Sequence, residues 1–264
     1  MRFSEHLKKA SLVGAFFVSV LFSVQAQALC PASGPLSREK VVSVIDGDTL
    51  RLADGRNVRL IGVNTPELGR KGRRAEPLAD TARLRLKGLV DSSDGRVGLR
   101  LGQQAKDHYG RTLAHAYDSK GRNLEALLLA EGLGFFVAIA PNTQLVSCHL
   151  TAERQARIAG RGVWRQSPVI SAEDLRGGGF AVIKARVERV ETNRGGVWLE
   201  LNGSAVLQIS HEVASSFGHS LKDLPGQEIE ARGWVIDRKG RADLSRQARW
   251  LLKISHPSML ALRQ

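Results

Sequence analysis

The chain has 264 residues, and 42% of them are hydrophobic, which is enough to build a buried core and excludes a disordered chain. Lys and Arg outnumber Asp and Glu by 39 to 26, so the net charge is +13 and the sequence pI is near 10.4. This excess predicts a polyanionic partner, either nucleic acid or an anionic membrane surface; a basic secreted protein without such a partner is the alternative.

Residues 1–28 have the pattern of a secretory signal peptide. A short basic stretch precedes the apolar segment 10–24, and Ala-Gln-Ala at 26–28 is a typical cleavage signal. We predict cleavage after Ala28 and a periplasmic or extracellular location, with an uncleaved membrane anchor as the alternative. No other apolar run is long enough to span a bilayer, so we expect no stable membrane association after cleavage.

Cys30 and Cys148 are the two cysteines of the chain. In an oxidising compartment such a pair can form a disulfide, which would tie the mature N-terminus to the far end of the first domain. Two free thiols are the alternative. No cluster of Cys and His has the spacing of a zinc site.

The first half of the chain reads as a small β-barrel with helices. Alternating residues broken by Asp-Gly pairs predict three consecutive strands over 40–63, and two further segments, 96–102 and 112–124, also alternate. Helical spacing predicts helices over three segments, 76–90, 125–134 and 147–164, the first with a proline in its first turn. The pattern predicts a mainly β, α+β fold: a five-stranded OB-fold barrel with three helices.

The composition of the sequence changes after residue 166, where a proline, acidic residues and three consecutive glycines follow one another. We predict that residues 29–168 form the first domain, that 169–179 form a glycine-rich linker, and that 180–264 form a second, OB-like β domain. Residues 29–169 hold 22 basic and 14 acidic residues, whereas 170–264 hold 14 and 11, so the first domain is the better candidate for gripping phosphate.

Polar residues that interrupt the strands suggest a metal-assisted phosphodiester chemistry. Asp46 and Asp48 flank a glycine, Arg59 opens a strand, and the segments "NTPE" (64–67) and "DHYGR" (107–111) follow. Oxygen ligands suit hard divalent cations such as Ca²⁺, a carboxylate can deprotonate water, and arginine matches phosphate oxygens. Taken singly, each piece is also an ordinary turn or a solvated loop.

In their order and spacing, these motifs resemble the thermonuclease family, whose best-known member is staphylococcal nuclease. The resemblance covers about residues 40–164 and includes "IDGDT" (45–49), "VRLIGVNTPE" (58–67), "DHYGR" and "ERQARIAGRGVW" (153–164). It implies an OB-fold endonuclease that depends on Ca²⁺, acts on single-stranded or frayed DNA and RNA, and leaves 3′-phosphate ends.

The resemblance also implies roles for individual residues. Asp48 is expected to ligate the calcium ion together with the Asn64 side chain and the Thr65 backbone carbonyl, and Asp46 to support that site without touching the ion. Glu67 is expected to position or deprotonate the attacking water. The expected phosphate contacts come from Arg59, Arg111 and Tyr109.

Two departures from the family pattern affect these expectations. Asn64 stands where the family usually has a second carboxylate, which removes one negative charge and predicts a higher calcium requirement. The segment "FFVAIAPN" (135–142) lacks the tyrosines that stack on a base in the best-known member. Phe135 or Phe136 either replaces them or belongs to the core, and both readings stay open.

Two further regions are candidates for nucleic-acid contact. The glycine-spaced loop 68–77 carries four basic residues that either contact the substrate backbone or are simply solvated: Arg70, Lys71, Arg73 and Arg74. In the second domain, four residues suit single-strand binding, with docking or stabilisation as the alternative role: Trp198, Trp234, Arg186 and Arg189.

At the level of the whole protein, the alternative to an enzyme is a non-catalytic nucleic-acid-binding protein whose metal affinity is weakened by Asn64. Arg59, Glu67 and Arg111 favour the enzyme, because binding alone has no need for the glutamate.

Overall fold

The computed structural model describes residues 29–69, 72, 74–239 and 247–263. The predicted signal peptide and three residues of the basic loop, Arg70, Lys71 and Arg73, lie outside the described residues. The first half of the chain contains, in order, β1 (Ser37–Asp46), β2 (Thr49–Leu52), β3 (Asn57–Leu60), β4 (Val63–Asn64), α1 (Ala79–Asp91), β5 (Arg96–Lys106), β6 (Thr112–Tyr117), α2 (Leu124–Ala130), β7 (Phe135–Phe136) and α3 (Val146–Ile158).

Five of these strands close into a barrel in the order β1-β2-β3-β6-β5. β1, β2 and β3 follow one another through tight turns, and β3 pairs with β6 in parallel. Because alternate residues of these strands point inward, side chains such as Leu50, Val58 and Leu60 fill the interior with almost no exposure. The predicted OB-fold barrel with three helices is confirmed.

The second half contains β8 (Val169–Ser171), β9 (Gly179–Asn193), β10 (Gly196–Leu201), β11 (Ala205–Ile209), α4 (His211–Ser215), β12 (Glu228–Asp237), β13 (Trp250–Ile254) and β14 (Leu260–Leu262). The strands form one sheet in the order β14-β12-β13-β11-β10-β9-β8, and β12 also pairs with β9. The core strands β9, β10, β11, β13 and β12 therefore close into a second barrel, with β11 and β13 parallel. The OB-like second domain is confirmed.

Helix boundaries differ from the sequence prediction where a glycine or a residue with positive φ ends the helix. α1 begins at Ala79 rather than near residue 76, because Leu78 has a left-handed backbone (φ 69°) that a helix cannot continue. α2 ends before Gly132 and α3 ends before Gly160, both of which have positive φ.

The segment 169–179, predicted as a linker, is an ordered part of the second barrel. β8 pairs with β9 in parallel, and the 3₁₀ turn Ala172–Asp174 follows it. Ala172 and Leu175 are buried. The glycines at 177–179 misled the prediction, because they mark only the entry into β9.

The two barrels share a polar interface that is largely closed to solvent. The guanidinium of Arg232 on β12 donates to both carboxylate oxygens of Glu153 on α3, at 2.8 and 2.6 Å. Arg157 on α3 forms a bidentate pair with Glu230 on β12. Burial opposes ionisation of Glu230, but the hydrogen bonds and positive charges of Arg157 and Arg232 together outweigh it and hold the pKa of that carboxyl below its usual value.

A disulfide joins Cys30 to Cys148 across a sequence separation of 118 residues. It anchors the start of the described chain on α3, the helix that also carries Glu153 and Arg157 toward the second barrel. Within the described residues, no helix has the length and apolar character needed to cross a membrane.

Candidate active site

Asp48 lies in the turn between β1 and β2 and faces the chain that follows β4. Its Oδ2 accepts hydrogen bonds from the backbone N–H of Thr65 at 2.9 Å and from the Thr65 hydroxyl at 3.1 Å. Its Oδ1 accepts from the Thr49 hydroxyl at 3.1 Å. Asp48 and Thr65 are both buried, so the "IDGDT" turn is held to "NTPE" by a short set of buried bonds.

Gly47 makes this approach of the two segments possible. A Cβ at this position would lie 2.6 Å from the Thr65 hydroxyl oxygen and 2.7 Å from the Ala82 Cβ on α1, closer than real Cβ atoms come. Any side chain would force the turn away from Thr65 and α1. The glycine is therefore required by close packing between the turn and its neighbours.

Gly47→Ala is expected to destabilise the protein by about 1–3 kcal/mol through overpacking and to lower cleavage by displacing Asp48. Gly88→Ala on α1 is the matched control, because nothing lies within 4 Å of its added Cβ and alanine favours a helix. Thermal unfolding and a cleavage assay of both variants measure the effect. Equal melting temperatures for Gly47→Ala and the parent protein would contradict this account of the turn.

Arg59 on β3 draws the polar side chains of the site together. Its Nη2 lies 3.2 Å from Asp48 Oδ2 and donates to Asn64 Oδ1 at 3.2 Å. Its Nη1 donates to the backbone carbonyls of Leu60 and Val63, both at 2.7 Å. The structure thus brings together Asp48, Arg59, Asn64 and Thr65 as the sequence pattern predicts.

Asp46 stands beside this cluster, and its Oδ1 accepts the backbone N–H of Asp48 at 3.1 Å. Burial and the neighbouring Asp48 charge raise the pKa of Asp46 to about 6. The two carboxylates therefore create local negative charge that a bound cation would stabilise.

The donor set fits a hard divalent cation. Asp48 and Asn64 direct oxygens at one positively charged nitrogen of Arg59, so these oxygens already converge on a cation. Carboxylate, amide and carbonyl oxygens are the ligands that Ca²⁺ takes. Among the described residues no group of three or more His, Cys, Asp or Glu is arranged to hold a metal.

Glu67 lies on the exposed chain three residues beyond Asn64 and is tied to Glu76. The backbone N–H of Glu67 donates to the Glu76 carboxylate at 2.9 Å, and the Glu76 N–H donates back to the Glu67 carbonyl at 2.9 Å. These two bonds close the base of the basic loop and hold the Glu67 backbone. Glu67 itself is exposed.

Arg111 is held by its own turn. Asp107 accepts the Arg111 backbone N–H at 2.9 Å and its Nε at 2.8 Å, and these bonds outweigh burial and keep the pKa of Asp107 low. The ring of Tyr109 is 74% exposed, and its centre lies 5.5 Å from the Arg111 guanidinium carbon. The same bonds recur in the turn 118–122, so this hydrogen-bond pattern by itself is a structural motif and is not specific to a functional site.

The remaining candidate residues for nucleic-acid contact lie on the basic loop and on the second barrel. Arg74 is exposed. In the second barrel, Arg186 pairs with Glu228, and Arg189 pairs with both Glu191 and Glu200, so two of the predicted cations are largely neutralised. Trp198 and Trp234 lie on the outside of the second barrel.

The sequence pattern assigned no individual role to three supporting residues. Thr49 binds Asp48, Asp107 orients Arg111, and Glu76 holds the Glu67 backbone. A signal existed for Asp107, because "DHYGR" and "DSKGR" repeat the same Asp-x-x-Gly-Arg spacing. None existed for Glu76, which lies nine residues beyond Glu67 at the other end of the loop.

Comparison with known proteins agrees with this geometry. A family model described as "Staphylococcal nuclease homologue" matches residues 57–166. The "Thermonuclease" of Staphylococcus hyicus is 34% identical over 128 residues, which cover 47% of this chain and 74% of that protein. The chain belongs to the staphylococcal nuclease family.

Other relatives support the same membership. The "Thermonuclease" of Staphylococcus intermedius is 33% identical over 130 residues, covering 48% of this chain and 75% of that protein. The "Endonuclease YncB" of Bacillus subtilis (strain 168) is 29% identical over 150 residues, covering 53% of this chain and 70% of that protein. The staphylococcal nuclease match begins after Asp48 and ends before β8, so it spans most of the first barrel and none of the second.

Proposed function

We propose that this chain is a Ca²⁺-dependent nuclease that hydrolyses phosphodiester bonds of DNA and RNA, with single-stranded or frayed strands preferred. The observation that carries the proposal is the convergence of Asp48 and Asn64 on Arg59 in a barrel of the staphylococcal nuclease family. Glu67 follows Asn64 by three residues along the chain. The names of the relatives, thermonuclease and endonuclease, support the same reaction class.

Asp48, the Asn64 amide oxygen and the Thr65 backbone carbonyl are the groups that would hold Ca²⁺. When bound, the ion would polarise the phosphate oxygens and stabilise the negative charge that develops during hydrolysis. Asp46 adds negative charge behind these ligands. Thr49 and the Thr65 N–H keep the Asp48 carboxylate oriented.

Glu67 acts as the general base. Its exposed carboxylate takes a proton from the water that attacks phosphorus, and the bonds to Glu76 fix the backbone from which it acts. Arg59 and Arg111 bind the non-bridging phosphate oxygens as charge accumulates on them. Loss of the 5′-oxygen as the leaving group leaves a 3′-phosphate end.

A cleavage assay with the mature chain tests the proposal. Single-stranded DNA, duplex DNA and RNA are incubated with CaCl₂ or with EGTA, and mass spectrometry of the products identifies the ends. We expect cleavage that requires calcium, is fastest on single strands and yields 3′-phosphates. Binding without cleavage at millimolar calcium would establish the non-catalytic alternative instead.

Asn64→Asp is expected to lower the calcium concentration needed for half-maximal cleavage. The carboxylate restores a negative charge among the ligands, and ligand charge tunes calcium affinity. Direct calcium titration by calorimetry measures the same shift without turnover. Asn57→Asp is a matched control, because the Asn57 side chain accepts an exposed hydrogen bond from Arg51 that a carboxylate can also accept. If Asn64→Asp cleaves with the same dependence on calcium concentration as the parent chain, the amide at position 64 does not raise the calcium requirement.

We also propose that the protein works in the periplasm or outside the cell after cleavage behind Ala28. The signal pattern in 1–28 supports this location, as does the Cys30–Cys148 disulfide, because such bridges persist in oxidising compartments. Intact mass of the secreted protein, before and after reduction, tests both the cleavage position and the bridge.

A further inference from the structure

Two tryptophans, a glutamine and a lysine form a row across the outside of the second barrel. Trp198 on β10 pairs with Gln208 on β11, and Gln208 pairs with Lys253 on β13. On β12, Val235 pairs with Leu252, so the register places Trp234 beside Lys253. Paired residues share a face of the sheet, so the four side chains project from the same face. We call Trp198, Gln208, Lys253 and Trp234 the tryptophan row.

The tryptophan row lies on the outer face of the sheet, where Trp198 and Gln208 are half-buried, whereas its neighbours along each strand face the barrel core. Leu199, Leu207 and Leu252 are completely buried, but Lys253 is exposed and Trp234 is 41% exposed. With strands about 4.8 Å apart, the two indoles stand roughly 14 Å apart along the sheet. The barrel core therefore does not need these two large aromatic rings.

The polar groups of the row suit a nucleic-acid strand. The Trp198 indole N–H donates to Asn193 in its own hairpin at 3.0 Å, which holds the ring in place. Within the described residues Lys253 takes part in no ion pair, so its charge is available to a phosphate. Acidic groups of the same region oppose its attraction for an anion: Glu212 lines the cleft beside Lys253, and Glu191, which pairs with Arg189, is the cross-strand partner of Trp198.

The tryptophan row is continuous with the candidate active site. Asn64 pairs with Phe135 across β4 and β7. The Phe135 ring lies 5.3 Å from the Phe180 ring, and Phe180 lies 5.4 Å from the Trp234 ring, measured between ring centres. A chain of direct contacts therefore runs from the proposed calcium ligand to one end of the row.

The first barrel contributes one wall of a cleft at the row. A space of about 360 Å³, within the range of ligand sites, is lined by Ala140, Gly195, Gln208 and Lys253, among others. The Ser255 hydroxyl donates to the Ala138 carbonyl at 2.6 Å and fixes this wall against the second barrel. Ala140, in the segment after β7, is the residue of the first half of the chain that lines this cleft.

We propose that the tryptophan row and its cleft bind the single strand that is cleaved, with bases stacked on Trp198 and Trp234 and a phosphate held by Lys253. Stacking on aromatic rings accepts any base, so this site gives affinity and positioning without sequence preference. The identification of the bound strand as the substrate rests on the proposed nuclease function; the binding itself does not.

Binding in EGTA separates the two questions, because it needs no cleavage. Fluorescence anisotropy of a labelled single-stranded DNA is measured with the full mature chain and with Trp198→Ala and Trp234→Ala. Each variant is expected to bind at least about fivefold more weakly. Trp198→Phe and Trp234→Phe retain a stacking surface and are expected to recover much of the affinity.

Lys253→Gln tests the phosphate contact. It is expected to reduce the slope of log affinity against log salt by about 0.7, the value for one phosphate of a single strand. Lys222→Gln is the charge-matched control, since Lys222 lies on the exposed helical connection Leu221–Asp223 and on none of the four strands. An unchanged slope for Lys253→Gln, or the same change in both variants, would overturn this contact.

The outcomes distinguish the inference from the proposed function. Parent-like affinity of a folded Trp198→Ala/Trp234→Ala double variant would overturn the tryptophan row as a nucleic-acid site, even if the chain cleaves normally. Binding lost in that double variant supports the site, even if the parent chain never cleaves. If circular dichroism shows that the double variant is unfolded, the single variants Trp198→Leu and Trp234→Leu replace it. Binding of single-stranded DNA by these variants with the affinity of the parent chain would then overturn the site.

Discussion

Glu67→Gln is expected to lower the rate of calcium-dependent cleavage by about 100- to 10,000-fold, the range that a general base contributes. Glutamine keeps the size of the side chain but cannot take the proton of the attacking water. The backbone bonds between Glu67 and Glu76 do not involve the Glu67 carboxylate, so the substitution leaves these two bonds in place. Single-turnover cleavage of a labelled single-stranded DNA measures the effect.

The affinity of this variant for single-stranded DNA, measured in EGTA, should stay at the parent value. The substitution removes the carboxylate that accepts a proton and leaves the positive charges of the barrel unchanged. Glu39→Gln is the matched control: Glu39 forms an ion pair with Arg56 on the barrel surface, and its loss should leave the rate intact. Parent-like cleavage by Glu67→Gln would assign the proton transfer to another group.

Arg232→Met is expected to destabilise the protein by about 3–5 kcal/mol, because it leaves buried carboxylates without the positive charge that pairs with them. The guanidinium bonds to Glu153 and to Glu230, and both partners are almost inaccessible to solvent. For a chain of this size the loss corresponds to a melting temperature roughly 6–20 °C lower. Thermal and urea unfolding measure it.

The Arg232 substitution should also disturb the backbone of the candidate site. Glu153 accepts the Phe136 N–H at 2.7 Å, and Phe136 lies on β7, the partner of the strand that carries Asn64. Arg249→Met is the matched control, since Arg249 forms an exposed pair with Asp237 on the neighbouring strand. Its effect on the melting temperature should be far smaller.

A double-mutant cycle tests the cause. In the Arg232→Met background, Glu153→Gln should cost less than it does alone, because the carboxylate has already lost its cation while the Phe136 N–H keeps an acceptor. Strictly additive losses would show that the Arg232–Glu153 pair contributes nothing specific and that packing explains the destabilisation.

Much of the first barrel and its site could be read from local pattern. The Asp-Gly turns, the alternation over 40–63 and the spacing of Asp48, Arg59 and Asn64 are short-range features, and each is determined by backbone geometry within a few residues. The same holds for the alternating strands of the second barrel. Helix ends were less accurate, because positive-φ residues such as Leu78 leave no unambiguous mark in the sequence.

By itself, the sequence determined the two-barrel architecture, the family and the identity of the residues around Arg59. Only the tertiary structure decided what these residues touch: that Gly47 must lack a side chain, that Glu76 holds Glu67, and that Arg232 joins the barrels. The tryptophan row likewise depends on the register of β10, β11, β13 and β12. The physical reason is that strand alternation and turn chemistry act over a few residues, whereas contacts between distant segments depend on how the whole chain packs.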